Sequence, residues 1–511
     1  MYIGGDPPST AAKLENYRKF QLDPKQRILD DRPEKDDLIA PISLLYQPFG
    51  YFRDIRCGVK APGGGDIHEG GLQEKVDALA DAMTLLYKSE EERTSKFLEH
   101  LEYLFGVPPG SINASKIPGG QKVSDGHVNG MHGAMVFCVE CKNELSAASC
   151  EPTVQLVSYI AASLKSRVDH HPELFQRWRV PALGVTHVGE FTPYFSSHTS
   201  LFGCLGSYIQ FFGVVWVGKM RVVPLTPSLP MVDPTGEEFR WDLFLAFKAA
   251  SIVFRKIQTD VKDLLQVLKG PPVGWPPVLT TEACLFPSVT EIDIETNISP
   301  DTQLEKVKFV LESRHDNVEH RHLYHAHLVS PASSENAIYV KFSQRYSVDL
   351  HRFCASRGLA PKVLGFQRLS GGWFAVAMEK VNIVDPRTIT SFPEAGEWER
   401  CFKELVNDFH REDFVHGDLR LANFVFTESN NPRKMVLVDF DWGGKEGEVV
   451  FPHERLNEEL GVPNDRLCDR QITKVHDQRC LSRVLEWLSC CTPANPVQVG
   501  PDTEPDQAMD G

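Results

Sequence analysis

Two short strings, close together in the second half, constrain this chain more than anything else in it. Phe414-Val-His-Gly-Asp-Leu-Arg-Leu-Ala-Asn-Phe-Val-Phe426 is followed by Met435-Val-Leu-Val-Asp-Phe-Asp-Trp-Gly-Gly444. Each reads as a short buried strand that ends in polar residues. Asp418 and Asn423 stand five positions apart across a tight turn, and Asp439 closes the run Val436-Leu-Val438, the pattern of a fully buried strand. Phosphoryl transfer needs such a set: one carboxylate to orient the attacking hydroxyl, and a carboxamide with a second carboxylate to hold Mg²⁺. That ion takes a few hard oxygen ligands from protein and the rest from water and phosphate. The rival account is a helix cap and a turn that carry carboxylates by chance; the ordered spacing of His416, Asp418, Asn423 and Asp439 argues against it.

These residues carry a resemblance. His416-Gly-Asp418 with Asn423 resembles the catalytic loop of the protein-kinase-like superfamily, and Asp439-Phe-Asp441 resembles its metal-binding triplet. The longer string resembles the fungal-type protein kinases and the kinase domains of Crinkler-like proteins. The resemblance implies ATP and Mg²⁺ as cofactors and a protein substrate. It implies that Asp418 takes the proton of the attacking hydroxyl and that Asn423 and Asp439 hold the metal. Lys341, at the end of the run 337–342, matches the lysine that pairs the ATP phosphates, with Asp349 on the following helix as its partner acid. Glu379 and Val381 fall where a hinge offers backbone groups to adenine. His416 is expected to support the loop. Arg420 either neutralises the transferring phosphate or pairs with a nearby carboxylate, and Asp441 either adds a metal ligand or supports one. Asp477, on a helix expected around 472–481, either anchors the catalytic loop or caps its own helix. One departure from the family stands out: no glycine-rich loop precedes Lys341, and Ser333 and Ser334 occupy the turn there.

A second block lies in the first half. Residues 135–142 read as a strand and 151–163 as a helix. Glu140 and Lys142 share one face of such a strand, and Gln155 and Tyr159, at i and i+4, share one face of such a helix. Asp125 and a Glu-x-Lys on the next strand can converge on one Mg²⁺ while the lysine polarises an attacking water, a hydrolysis suited to a phosphodiester. A structural salt bridge beside a surface aspartate is weighed equally. The set Asp125, Glu140, Lys142, Gln155 and Tyr159 resembles the PD-(D/E)XK nuclease superfamily, which Crinkler-like proteins join to kinase domains. The resemblance implies nucleic acid as a partner of this domain. Cys138 and Cys141 have C-x-x-C spacing, but an odd spacing on a strand sends the thiols to opposite faces, and no second pair accompanies them.

Composition sets the outer limits. A chain of 511 residues with 42% hydrophobic and 24% charged residues is globular, with room for two or three domains. No apolar run reaches the 18 residues of a membrane span, and the start lacks a signal-peptide layout, so the expected location is intracellular, in cytoplasm or nucleus. Twelve cysteines without a disulfide-type framework fit reduced thiols. Most of the net charge of −15 falls in the second half, and composition alone gives non-specific nucleic-acid binding no support.

The expected class is α+β or α/β. A polar segment over 1–40 precedes a restriction-endonuclease-like domain over 41–270. A proline-rich linker over 271–285 leads to a protein-kinase-like bilobal domain over 286–491 with a shortened C-lobe, and a disordered tail follows over 492–511. A single long helical pattern is expected over 72–105. The expected function is ATP-dependent phosphorylation of a Ser/Thr hydroxyl in protein. Two other readings stay open: a metal-dependent nuclease or toxin-type effector acting on DNA through the first domain, and a pseudokinase scaffold, favoured by the missing glycine loop.

Overall fold

A computed structural model describes residues 8–24, 27–30, 39–62, 69–85, 87–116, 123–130, 133–142, 151–168, 170–189, 207–231, 237–294, 306–315, 322–330, 337–384, 395–427, 434–452 and 470–490. The chain forms two compact units, Met1–Val289 with Leu369–Gly372, and Thr290–Arg368 with Trp373–Gly511. Both mix helices with sheets. The expected disordered tail, and the turn that holds Ser333 and Ser334, lie outside the described residues. No described helix is long and apolar enough to cross a membrane.

The first unit is built on a six-stranded sheet. Its strands are β1 (Gly126–Asn129), β2 (Met135–Lys142), β3 (Ala182–Val188), β4 (Tyr208–Trp216), β5 (Met220–Pro224) and β6 (Leu229–Pro230), ordered β1-β2-β3-β4-β5 with β6 also on β4. Only β2 and β3 run parallel. Both are buried along almost their whole length, as befits strands covered on two faces. On one face Phe137 meets Phe105 of α2 (Glu90–Phe105) and Phe254 of α4 (Glu237–Leu268). On the other, α3 (Pro152–Val168) comes so close at Gly184 that an added Cβ would stand 2.8 Å from Leu156.

Two expectations need correction here. The helical pattern over 72–105 is broken into α1 (Glu69–Met83) and α2, because Ser89 is an N-cap whose side chain accepts from Glu92 N–H at 3.2 Å. Glu90, Glu91 and Glu92 form the first turn of α2, where carboxylates face the positive end of the helix dipole. The segment 271–285 is held against the first unit and not free. Leu279 N–H donates to Gln176 O, and buried Arg179 donates to the carbonyls of Ala283, Cys284 and Phe286 at 2.7–2.9 Å.

The second unit opens with an antiparallel sheet: β7 (Glu291–Asp293), β8 (Lys306–Arg314), β9 (Leu323–Ser330), β10 (Ala337–Ser343), β11 (Val363–Arg368) and β12 (Phe374–Glu379), ordered β11-β12-β10-β9-β8-β7. Helix α5 (Val348–Ser356) follows β10. Helices α6 (Ala395–Arg411) and α7 (Lys474–Cys490) enclose a core of Phe402, Phe409, Val415, Leu419, Phe424, Leu437, Phe440, Ile472 and Leu481. Small strands brace the polar strings of the sequence: β13 (Ile383–Val384), β15 (Phe424–Thr427) and β16 (Lys434–Leu437) form one sheet, while β14 (Phe414–Val415) pairs with β17 (Gly444–Lys445).

Each unit buries a histidine that must stay neutral. His187 is fully buried against Phe97, and burial with the charge of Arg93 lowers its pKa from 6.5 to about 3. Burial likewise lowers His351 to about 3. The unfolded chain takes up protons below about pH 6.5 while these sites do not, so folding stability falls as pH drops from there toward 3. Each histidine should take away about 1.4 kcal/mol per pH unit across that window. His187→Leu should flatten the acid limb of urea-unfolding stability by about one proton; an unchanged slope would exclude His187 as its source.

Candidate active site

The residues of the His416–Asn423 loop are placed by a turn and a distant carboxylate. After β14 the chain turns at Gly417, which has φ +79° and would bring an added Cβ within 2.8 Å of Ile472. Only glycine takes such a position without strain. Asp477 of α7, almost fully buried, accepts from His416 N–H at 2.7 Å and Gly417 N–H at 2.8 Å, and lies 3.2 Å from His410 Nε2. His416 Nδ1 accepts from Asp418 N–H at 3.2 Å, and burial lowers the pKa of the ring. A neutral ring with Nδ1 as acceptor holds the loop in shape.

Asp418 is buried between two partners. Asn423 Nδ2 donates to its Oδ2 at 2.7 Å and to its backbone O at 2.9 Å, and Arg420 Nε lies 2.8 Å from Oδ1. Of the two roles open to Arg420, this geometry displays the pairing with a carboxylate. Since the Asn423 amide NH₂ is turned to Asp418, its buried Oδ1 has no hydrogen-bond partner. Val438 N–H donates to Asn423 O at 2.9 Å, and Phe424 pairs with Leu437, so the β15–β16 ladder sets Asn423 beside Asp439. Asp439 itself has φ +69°, a strained conformation for a residue with a Cβ, of the kind that collects at functional sites.

Lys341 joins this cluster from β10. Its Nζ lies 2.7 Å from Asp439 Oδ1 and 2.6 Å from Asp441 Oδ1. Burial would lower the lysine pKa, but the two carboxylates outweigh it and hold the ammonium charged. Asp349 is not the partner acid: it is exposed in the first turn of α5, away from this pair. Phe440, between the two acids, stacks on His351 of α5 at 4.4 Å and meets His416 at 5.3 Å. Glu379 ends β12 with its N–H donated to Lys362 O and its side chain accepting from Lys362 N–H, which leaves only its carbonyl for a hinge contact. Val381 lies two residues on, half-buried in the following loop.

Tyr346 and His351 had no distinguishing sequence signal. The Tyr346 hydroxyl is 2.7 Å from His351 Nδ1, and its ring lies 5.8 Å from Lys341 Nζ. Strands β8 and β9 both precede β10, so two connections, 316–321 and 331–336, come before Lys341. Neither contains a glycine, and both lie outside the described residues.

The first unit holds the other candidate group. Glu140, fully buried on β2, is ion-paired to Lys142 through Oε1, while its Oε2 has no hydrogen-bond partner. Burial, then the nearby Asp125, pushes the Glu140 pKa up to about 8. Asp125 Oδ2 accepts from Cys141 N–H at 2.7 Å, and burial raises its pKa also. Gln155 donates to the Tyr159 hydroxyl at 3.0 Å, and Glu140 adds to the rise of the Tyr159 pKa. The half-buried Asp125 carboxylate thus lies near enough to the buried Glu140 to be felt by it. Cys138 and Cys141 are both buried and free.

Removing the Asp477 carboxylate should unseat the His416–Asn423 loop. Asp477→Ala leaves two buried N–H groups without acceptors and should cost roughly 2–4 kcal/mol of second-unit stability. Thermal unfolding of the variant checks this, and a change within about 0.5 kcal/mol, the scatter of surface substitutions, would contradict it.

No family model matches this sequence, and none of the curated proteins searched matches it. Among solved structures the chain is similar to the Cydia pomonella granulovirus kinase PK-1, at 12% sequence identity and a TM-score of 0.30, over 38% of this chain and 72% of that one.

Proposed function

We propose that the second unit transfers the γ-phosphate of ATP to a hydroxyl, and that a serine or threonine of a protein is the acceptor. The observation that carries this reading is the convergence of Lys341, Asp439, Asn423 and Asp418, drawn from about a hundred positions of chain, on one braced loop. Asn423 Oδ1 and the Asp439 carboxylate fit Mg²⁺, because one is a buried oxygen with no other partner and the other a carboxylate beside it. When bound, Mg²⁺ would neutralise charge on the phosphate oxygens.

The chain's own residues supply the rest. Asp418, held by Asn423 Nδ2, accepts the proton of the incoming hydroxyl at a carboxylate oxygen. Lys341 fixes the phosphates by its charge. Arg420, beside Asp418, tempers the negative potential that an incoming phosphate meets. Proton acceptance by a positioned side chain contributes about 10²–10⁴-fold to rate. Asp418→Ala should therefore lower transfer of labelled γ-phosphate to the protein itself or to a generic protein substrate by at least about 100-fold. Transfer that survives at the wild-type rate would refute the assignment of Asp418, and no transfer by the wild type despite ATP binding would sink the kinase reading.

A second reading attaches to the first unit. The crowding of Asp125 and Glu140 against Lys142, with Glu140 lifted to about 8, supports metal-assisted hydrolysis of a phosphodiester. A divalent ion would relieve the repulsion between these buried acids. Under this reading Glu140→Gln abolishes Mg²⁺-dependent nicking of plasmid DNA and leaves γ-phosphate transfer unchanged. Nicking that persists in the variant would assign it elsewhere.

A further inference from the structure

The ammonium of Lys341 stands against the Asp439 carboxylate that the reading above gives to a metal, and against Asp441 beside it. Its Nζ is 2.7 Å from Asp439 Oδ1 and 2.6 Å from Asp441 Oδ1, and all three side chains are largely buried, at 7%, 8% and 23% exposure. β10 cannot yield easily: Lys341 is paired with Leu323 of β9 and Val376 of β12. A buried pair of like charges is costly unless a cation lies between them, and here the chain itself provides that cation. A divalent ion on the same oxygens would meet the ammonium at close range, in a site with little water to screen the repulsion.

We propose that Lys341 is a resident cation caged by Asp439 and Asp441, and that this cage keeps free divalent ions out until an anionic phosphate chain draws the ammonium away. Asp441 is then a positioning residue: it parks Lys341 beside Asp439. The proposal rests on the kinase reading for the identity of the phosphate chain, but the cage is testable without catalysis. Metal and nucleotide enter together, since the nucleotide supplies the negative charge to which Lys341 moves. This gives the second acid of the Asp-Phe-Asp triplet a task that a lone metal ligand at Asp439 leaves unfilled.

The test is Mn²⁺ binding to the full chain without nucleotide, read by electron paramagnetic resonance of the free ion. Lys341→Met should bind Mn²⁺ roughly tenfold or more tightly than wild type, because the competing cation is gone and both carboxylates remain. Lys341→Arg, which keeps the charge, should stay close to wild type. Equal or weaker Mn²⁺ binding by folded Lys341→Met overturns the proposal. Should that variant not fold, Asp441→Asn serves instead. Loosening one arm of the cage should speed acylation of Lys341 several-fold, read by peptide mass spectrometry, and an unchanged rate overturns the cage. γ-Phosphate transfer, assayed separately on wild type, keeps the two claims apart. Transfer with no difference in Mn²⁺ binding discards the cage alone, whereas the Lys341→Met effect without transfer supports the cage and discards the kinase reading.

Discussion

One buried carboxylate organises the second unit. Asp477 takes hydrogen bonds from two consecutive backbone N–H groups of the His416-Gly417 turn while it sits against His410. A turn at positive φ leaves its N–H groups pointing one way, with no strand or helix to receive them. Buried without acceptors they would cost more than the turn can gain elsewhere. With Asp477 in place, the turn is rigid, and Asp418 emerges from it in a fixed direction. The charge needs no counter-ion of full strength, because converging N–H dipoles satisfy it. Everything downstream, from the Asn423 amide to the strain at Asp439, assumes that this loop does not move.

A second constraint links the sheet to the loop. Phe440 has His351 of α5 stacked on one side and His416 nearby on another, while Ser347 N–H, just before α5, donates to Phe440 O. The helix behind Lys341 and the loop that carries Asp418 therefore share one aromatic contact. Neutral rings make this possible: burial lowers the pKa of both histidines, so neither brings a charge that would need solvent.

The legibility of this chain follows the distance over which each feature is decided. The strands 135–142 and 182–188 and the spacing of His416, Asp418, Asn423 and Asp439 are local, and periodicity with residue type reveals them. The break at Ser89 is local too; its signal was the cap followed by three acids, masked by apolar residues that keep helical phase on both sides. What could not be read was decided across the chain. Asp349 is the nearest acid after Lys341 in sequence, yet Lys341 pairs with acids about a hundred positions away, because β10 sits in the middle of its sheet and faces β16's exit. The prolines of 271–285 suggest a free linker, but Arg179, from a different part of the fold, collects the carbonyls of Ala283, Cys284 and the adjoining Phe286 and ties it down. Roles at both sites remain a matter of chemistry: geometry brings Asp125, Glu140 and Lys142 together without saying what they act on.

The pairing of β2 with β3 has a further consequence. Glu140 lies opposite Thr186 and Cys141 opposite His187, so the polar row and the apolar row of the sheet alternate with a period of two residues. Both strands are covered on both faces, and the register has no tolerant direction. Inserting or deleting one residue in β2 ahead of Glu140 would turn its carboxylate into the aromatic layer of Phe97 and Phe254, and a deletion would leave the Cys141 thiol where the acid stood. For this stretch, side-chain substitution is a graded change, but a single-codon insertion is a switch of face. Length variation among descendants of this sequence should therefore collect in the connections and spare the eight residues of β2.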